Sequence, residues 1–216
     1  MTHLSRTTKL NSKSWSLEAF ETCPGARDTV TGETVPACQG CYARIGTYAF
    51  RLVKRARADN AKAWRESGWV DTMIAALRRQ VRFRWFDSGD VYHADLAKKI
   101  YQIILCTPHV KHWLPTRSYK IERIRLILER IATLPNAAVR YSSDSIIGEF
   151  TPGLHGSTIT QGVAPAGTFL CEAYTRGGTC GPCNLCYEKA GVVAYPAHGR
   201  TMKKIMKEGL IQIDRK

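Results

Sequence analysis

The chain has 216 residues, of which 44% are hydrophobic and 23% are charged, a composition typical of one globular domain over residues 1–216. This is not the composition of a disordered chain, and no stretch reaches the ~18 apolar residues that a membrane span needs. The formal net charge of +14 indicates an anionic partner, nucleic acid or another anionic substrate.

Alternating strands and helices are predicted over the first 150 residues. Trp15 to Phe20 is the first predicted strand, and a loop with three cysteines follows it. After Cys41, apolar or small residues recur at helical spacing as far as Ala56. The later predicted elements are a helix over 70–80, a strand over 81–86, a helix over 96–104, a strand over 110–114, a helix over 119–133 and a strand over 137–141. The helix over 119–133 is predicted to be amphipathic, with Ile121, Ile124, Leu128 and Ile131 on its inward face.

This alternation implies parallel βαβ units and therefore an α/β fold. A complete eight-unit barrel usually needs a longer chain, so we predict a partial or short (β/α) barrel over residues 1–150. Residues 151–216 form a cysteine-rich C-terminal part with short strands. Only Thr201 to Gly209 is predicted to be helical there, with Thr201 as the N-cap.

Positive charge is concentrated between Arg51 and Arg84, a segment with ten Lys or Arg residues and only three acidic residues. The run is explained either by solvated helix faces or by a nucleic-acid or phosphorylated partner. The sequence leaves both interpretations open.

Polar residues follow three of the predicted strands. In parallel α/β folds, ligands bind outside the carboxyl ends of the strands, so we place the site there. Catalytic roles are predicted for Asp87, Ser88 and Asp90. Cofactor contacts are predicted for Ser88, Gly89, Asp90, Thr116, Arg117 and Ser143. The alternative is that Asp87 and Asp90 only cap the next helix.

The eight cysteines predict metal binding. Since Met1 to Ser14 lacks the apolar run of a secretory signal, we expect a cytoplasmic protein, whose thiols are kept reduced. Closely spaced cysteines in that compartment bind metal more often than they form disulfides. Cys106 stands alone on the apolar side of a predicted helix and is interpreted as a buried core thiol.

The C-terminal group is Cys171-x8-Cys180-x2-Cys183-x2-Cys186. A C-x2-C-x2-C run lets one loop surround an iron–sulfur cube, and four thiolates would complete one [4Fe–4S] cluster. Four cysteines also suit a tetrahedral structural zinc site, although zinc ribbons prefer two separated pairs.

The N-terminal group, Cys23-x14-Cys38-x2-Cys41, has only three thiols. A four-coordinate metal or a cube held by three cysteines keeps one position open, as reactive sites do. One cluster shared between the two groups is an alternative to two clusters.

The three-cysteine loop after a first strand resembles the cluster loop of radical S-adenosylmethionine enzymes. That resemblance implies a unique iron that binds the amino and carboxylate groups of the cofactor, with Asp87-Ser88-Gly89-Asp90 accepting hydrogen bonds from its ammonium group. This chain departs from the usual C-x3-C-x2-C spacing, and its aromatic residue, Tyr42, follows the last cysteine instead of preceding it.

A second resemblance covers most of the chain, which is similar to the phage family known as gene product 88. The ordered motifs that carry it are Cys23-Pro24-Gly25-Ala26, Cys38-x2-Cys41-Tyr42-Ala43, Phe83-x3-Asp87-Ser88-Gly89-Asp90 and Cys180-Gly181-x-Cys183-x2-Cys186-Tyr187. This resemblance implies a phage-encoded protein that acts in the bacterial host cytoplasm.

The leading functional prediction is an iron–sulfur enzyme with an open three-cysteine [4Fe–4S] cluster and a four-cysteine auxiliary cluster. Radical S-adenosylmethionine chemistry, with electrons from an electron donor, and sulfur transfer are the two reactions considered. The alternatives are a non-catalytic electron-transfer or structural iron–sulfur protein, and a zinc-stapled nucleic-acid-binding protein.

Overall fold

The structure is a computed structural model that describes residues 1–189 and 191–213. In this part of the chain the strands and helices follow one another as β1 (Ser5–Thr7), β2 (Ser12–Trp15), α1 (Pro36–Gln39), α2 (Arg51–Ala63), α3 (Trp69–Leu77), β3 (Arg82–Trp85), α4 (Ala94–Leu105), β4 (Lys111–Thr116), α5 (Glu122–Thr133), β5 (Ala137–Tyr141), β6 (Ser157–Thr160), β7 (Thr168–Leu170), β8 (Val192–Pro196) and α6 (Arg200–Ile213).

The main sheet has five strands in the order β1-β2-β3-β4-β5. Only β1 is antiparallel to its neighbour, while β2, β3, β4 and β5 are mutually parallel. Helices connect the parallel strands, as the predicted βαβ units require. The α/β class is therefore confirmed.

The predicted barrel does not close in the part of the chain that the structure describes. The antiparallel β1 ends the sheet on one side. On the other side, β5 is continued only by a single bridge between Ser142 and Ser157. Beyond that bridge, β6, β8 and β7 form a separate parallel sheet of three strands. The strands thus form two open sheets.

The core lies between the main sheet and helices α3, α4 and α5. Strand β3 has the sequence Arg-Phe-Arg-Trp, so Phe83 and Trp85 are buried on one face while the two arginines lie on the other. Trp85 packs with Trp15 and Trp69, and the ring centroids of Trp15 and Trp69 are 5.2 Å apart. Each fully buried side chain of this size contributes about 1.5–3 kcal/mol.

The predicted inward face of α5 is confirmed, because Ile124, Leu128 and Ile131 have no exposed surface. Several element boundaries were wrong. The helix predicted after Cys41 begins only at Arg51, because two short 3-10 turns precede it. The first predicted strand ends at Trp15, and the chain turns at Phe20, whose φ is +69°. Thr201 lies inside α6, which begins at Arg200, so it is not the N-cap.

The described residues include no helix that is long and apolar enough to cross a membrane.

His112 is a fully buried ring between β3 and the end of α4. Its Nδ1 atom accepts a hydrogen bond from the indole of Trp85 at 3.3 Å, and its Nε2 atom lies 2.9 Å from the hydroxyl of Thr107. An acceptor at Nδ1 requires the neutral ring. Burial lowers the pKa of His112 to about 3, because the charged ring would be desolvated.

We predict that His112 makes the free energy of unfolding fall at mildly acidic pH. The unfolded chain takes up the proton below the ordinary histidine pKa of about 6.5, and the folded chain does so only near pH 3. The contribution of His112 to the free energy of unfolding is therefore complete above pH ~6.5. Below that pH it falls by up to about 1.4 kcal/mol per pH unit.

Urea unfolding between pH about 7 and about 5 tests this, because most carboxyl groups stay charged in that range. His112→Gln keeps a polar side chain of similar reach but cannot take up the proton, so its profile should be flatter. An equally steep profile in the variant would show that other groups cause the pH dependence.

Candidate functional site

A cavity of about 1040 Å³ lies at the carboxyl ends of the parallel strands. Its lining includes residues just beyond β2, β3, β4 and β5, namely Ser16, Asp87, Arg117 and Ser142. This is the location that the strand order predicts. Six of the seven grouped cysteines also line it: Cys23, Cys38, Cys41, Cys171, Cys180 and Cys186.

The N-terminal cysteine loop packs directly on the end of β4. A Cβ atom at Gly25 would lie 2.2 Å from the carbonyl oxygen of Arg117, so only glycine permits this approach. Within the loop, Cys38 lies in α1 and Cys41 follows it, with the backbone N–H of Cys41 donating to the carbonyl of Cys38 at 3.2 Å. The short connection keeps these two thiols near each other.

Asp144, after β5, ties the same loop to the sheet. Its backbone carbonyl accepts from the N–H of Ala37, at the start of α1, at 2.9 Å. Its carboxylate pairs with Arg117 at 3.3 Å and with Lys120, and Lys120 also donates to the carbonyl of Gly25. The loop is therefore held by hydrogen bonds from the ends of β4 and β5.

The polar side chains after β3, for which the sequence predicts catalytic and cofactor roles, are engaged in contacts within the protein. The carboxylate of Asp87 is occupied by Arg84 at 2.7 Å and by the hydroxyl of Tyr48 at 2.5 Å. Ser88 is buried, and its hydroxyl donates to the carbonyl of Leu17 at 2.7 Å. Gly89 has a φ of +75°. Of Asp87, Ser88 and Asp90, Asp90 is the residue whose charge acts on Cys23 and Cys38.

Asp90 is a buried carboxylate beside Cys23. It accepts from the backbone N–H groups of Val91 at 2.7 Å and Arg117 at 2.8 Å. Burial raises its pKa, and these donors oppose the increase. The alternative that Asp87 or Asp90 caps the next helix is wrong, because His93 caps α4 by accepting from the N–H of Asp95.

Thr116 and Arg117 line the cavity as predicted, but Ser143 does not. Ser143 is buried, and its hydroxyl donates to the carbonyl of Glu149 at 2.6 Å. It therefore shapes the turn after β5, and its hydroxyl is already engaged. The guanidinium of Arg117 donates to the carbonyl of Ser143 at 2.7 Å.

Burial raises the pKa of Cys23, Cys38 and Cys41. The charge of Asp90 adds to this effect at Cys23, whereas the guanidinium of Arg117 opposes it at Cys38 and Cys41. Without a bound cation these side chains are therefore thiols and not thiolates.

The C-terminal cysteines are placed by contacts with both ends of the chain. The N–H of Cys180 donates to the carbonyl of Lys9 at 2.9 Å, and the thiol of Cys186 lies 3.1 Å from the hydroxyl of Tyr195. Cys183 does not line the large cavity. It lines a small adjoining cavity of about 20 Å³ together with Cys171, Cys180 and Cys186. The four thiols therefore border one small space.

Arg140 holds this cysteine loop by hydrogen bonds to its backbone, a role that the sequence analysis did not predict. Its side chain is on β5 and is 2% exposed. Among the described residues, the guanidinium donates to five backbone carbonyls, those of Gly156, Leu185, Cys186, Glu188 and Gly191. Because the acceptors are distant backbone atoms, nothing in the local sequence identifies them.

All eight cysteines lie within the described residues, and all are free of disulfide bonds. In the same part of the chain, no three His, Cys, Asp or Glu side chains are close enough to form a ready-made metal site. Cys106 is exposed, which contradicts the prediction of a core thiol. It follows the last residue of α4, beyond the turn that packs on the core.

The family model described as Gene product 88 matches residues 2–164 of this chain. The match includes Cys23, Cys38 and Cys41 as well as the segment after β3, and it ends before the C-terminal cysteine group. No curated protein and no solved structure matches the chain.

We predict that Arg140→Met lowers the free energy of unfolding by on the order of 3 kcal/mol or more, because five partly buried backbone carbonyls among the described residues lose their donor. Urea unfolding measures this change. Arg125→Met is the matched control, since Arg125 pairs with Glu129 at an exposed site and should cost less than about 1 kcal/mol. Equal costs would contradict the role given to Arg140.

Proposed function

The chain belongs to the Gene product 88 family, and we propose that it is an iron–sulfur protein with two cysteine sites at one cavity. Cys23, Cys38 and Cys41 hold the first cluster. Cys171, Cys180, Cys183 and Cys186 hold the second. The observation that carries the proposal is that six of these seven thiols line the same cavity, although they come from opposite ends of the chain.

The thiols fit this role by their chemistry and their setting. Soft thiolate ligands select iron–sulfur clusters and zinc over hard cations such as magnesium. The cysteines lie mainly in loops and short turns, so the loops can close further when a cluster binds, and this accounts for the lack of a ready-made ligand set. A bound cluster also supplies the positive charge that displaces the thiol protons.

The three-cysteine site is the better candidate for reactivity. A cluster held by three thiolates supplies one open iron position, which suits S-adenosylmethionine or a sulfide as ligand. The charge of Asp90 acts on Cys23, and the charge of Arg117 acts on Cys38 and Cys41. Asp90 can accept a hydrogen bond from an ammonium group, and Arg117 can bind a carboxylate.

The four-cysteine site is assigned an auxiliary role. The ammonium group of Lys9 is within electrostatic range of Cys171 and Cys180. Arg140 fixes the backbone of Cys186. These contacts position the thiols and balance their charge when they are deprotonated.

We predict that anaerobically purified protein contains iron and sulfide in equal amounts. Cys38→Ala and Cys183→Ala should each lose about half of the iron, because each removes one ligand from one four-iron cluster. Cys106→Ala is the control and should retain all of it, since that thiol is exposed and outside both groups.

S-Adenosylmethionine binding is tested on the same samples by electron paramagnetic resonance of the reduced protein. The spectrum should change when the molecule is added to Cys183→Ala and should stay unchanged in Cys38→Ala. Iron-free protein would overturn the proposal, and zinc in place of iron would favour the structural alternative.

We also propose that the exposed face of α2 binds nucleic acid. Four cations on this face are exposed, Arg51, Lys54, Arg55 and Lys62. None of the four has an ion-pair partner among the described residues. Arg57 differs, because it is buried against the cavity and lies 3.4 Å from Glu18. Cations without protein partners are available to phosphates.

The affinity for a short DNA duplex, measured by fluorescence anisotropy, should fall steeply with salt. The double variant Lys54→Ser with Arg55→Ser should reduce the slope of log K against log salt by roughly 2, one unit for each lost phosphate contact. Lys98→Ser, which removes an exposed cation from α4, should leave the slope unchanged. A flat salt response of the wild-type protein would remove nucleic acid as a partner.

A further inference from the structure

Four aromatic rings stand in a row along one wall of the large cavity. Neighbouring centroids are 5.3 Å apart for Tyr48 and Tyr42, 5.6 Å for Tyr42 and His198, and 5.1 Å for His198 and Tyr174. All four side chains line the cavity. Such a row offers ring faces and edges to a planar ligand, and aromatic stacking of this kind tolerates many ring systems.

A cation lies against each end of this row. The guanidinium of Arg57 is 4.9 Å from the centroid of Tyr48, and the ammonium group of Lys9 is 3.7 Å from the centroid of Tyr174. Arg57 has Glu18 as a partner. Lys9 is partly buried and has no carboxylate partner among the described residues. A partly buried charge without a counter-ion is costly, so this end of the row favours an anion.

Two further polar groups are available near Lys9. The hydroxyl of Tyr174 and the ring nitrogens of His198 have no hydrogen-bond partner among the described residues. By contrast, the hydroxyls of Tyr42 and Tyr48 are engaged by Asp87. The unused donors are therefore at the same end of the row as the unpaired cation.

We propose that the cavity binds a ligand that joins a planar aromatic ring to an anionic group, the chemistry of a nucleoside monophosphate. The planar group packs on Tyr174 and His198, and Lys9 is the counter-ion of the anionic group. The cavity has room for such a ligand, since its volume of about 1040 Å³ is at the upper end of the range usual for small-molecule sites. None of the residues of this ligand site is a proposed cluster ligand.

Calorimetric titration of the full chain with AMP, adenosine and inorganic phosphate tests the proposal. AMP should bind more tightly than either of its two parts. Lys9→Met should weaken AMP binding about tenfold and leave adenosine binding unchanged, because it removes only the charged contact. Lys98→Met, which removes an exposed cation of α4, should change neither.

The ring row is tested separately. Tyr174→Leu should weaken AMP and adenosine alike, by roughly 5- to 100-fold, while Tyr174→Phe should keep most of the affinity because it keeps the ring. Thermal unfolding of each variant shows that it is folded. Absence of AMP binding at millimolar concentration, or phosphate binding as tight as that of AMP, would overturn the proposal.

Iron content separates this site from the cysteine sites. Protein depleted of iron should bind AMP as the iron-containing protein does, and Lys9→Met should keep most of the iron of the wild type, because it removes a charge and not a ligand. If Lys9→Met loses iron while AMP binding is unchanged, Lys9 serves the cysteine group alone and the ligand site is wrong.

Discussion

The buried guanidinium of Arg140 is the interaction on which the placement of the C-terminal cysteines depends. A buried cation is tolerated only while its hydrogen-bond acceptors remain in place, and all five described acceptors are backbone carbonyls. One belongs to Gly156, directly before β6, and three belong to the segment 185–188. The same side chain on β5 therefore connects the main sheet, the start of the second sheet and the cysteine loop. The hydroxyl of Tyr195, 3.1 Å from the thiol of Cys186, is a second contact that holds this residue beside the cavity.

The parallel sheet places the other half of the site. Its strands end at one edge, so residues that are far apart in the sequence become neighbours there. The N-terminal cysteine loop reaches this edge because Gly25 lets the backbone lie against Arg117. Arg117 in turn contacts both Asp90 and Asp144, which follow different strands. The two cysteine groups thus meet at one cavity for two separate reasons, strand polarity for the first and the hydrogen bonds of Arg140 for the second.

Local patterns in the sequence predicted the parts of the fold that local forces determine. The order of strands and helices, the buried face of α5 and the position of Asp87 to Asp90 after β3 follow from periodicity and strand polarity. The first strand was misplaced because Trp15 to Phe20 has strand-like residues, yet strand pairing ends where Trp15 lies beside Trp85. Barrel closure and the acceptors of Arg140 depend on pairing between distant segments, which a single sequence does not contain. Cys106 lies at the end of α4, where helical periodicity no longer predicts which side chains are buried.

The two cysteine groups differ in the cations whose charge acts on them. Arg117 lies near Cys38 and Cys41, and Lys9 lies near Cys171 and Cys180. In the proposed metal-bound state, each cation would offset the negative charge that thiolates and sulfide bring to a cluster. Arg117 is already paired with Asp144, so its charge is partly neutralised before any ligand binds. Lys9 has no such partner among the described residues, and it therefore keeps more of its charge for an anion in the cavity. The N-terminal cysteine group therefore lies near a cation that is paired with a carboxylate, and the C-terminal group lies near a cation without a carboxylate partner among the described residues.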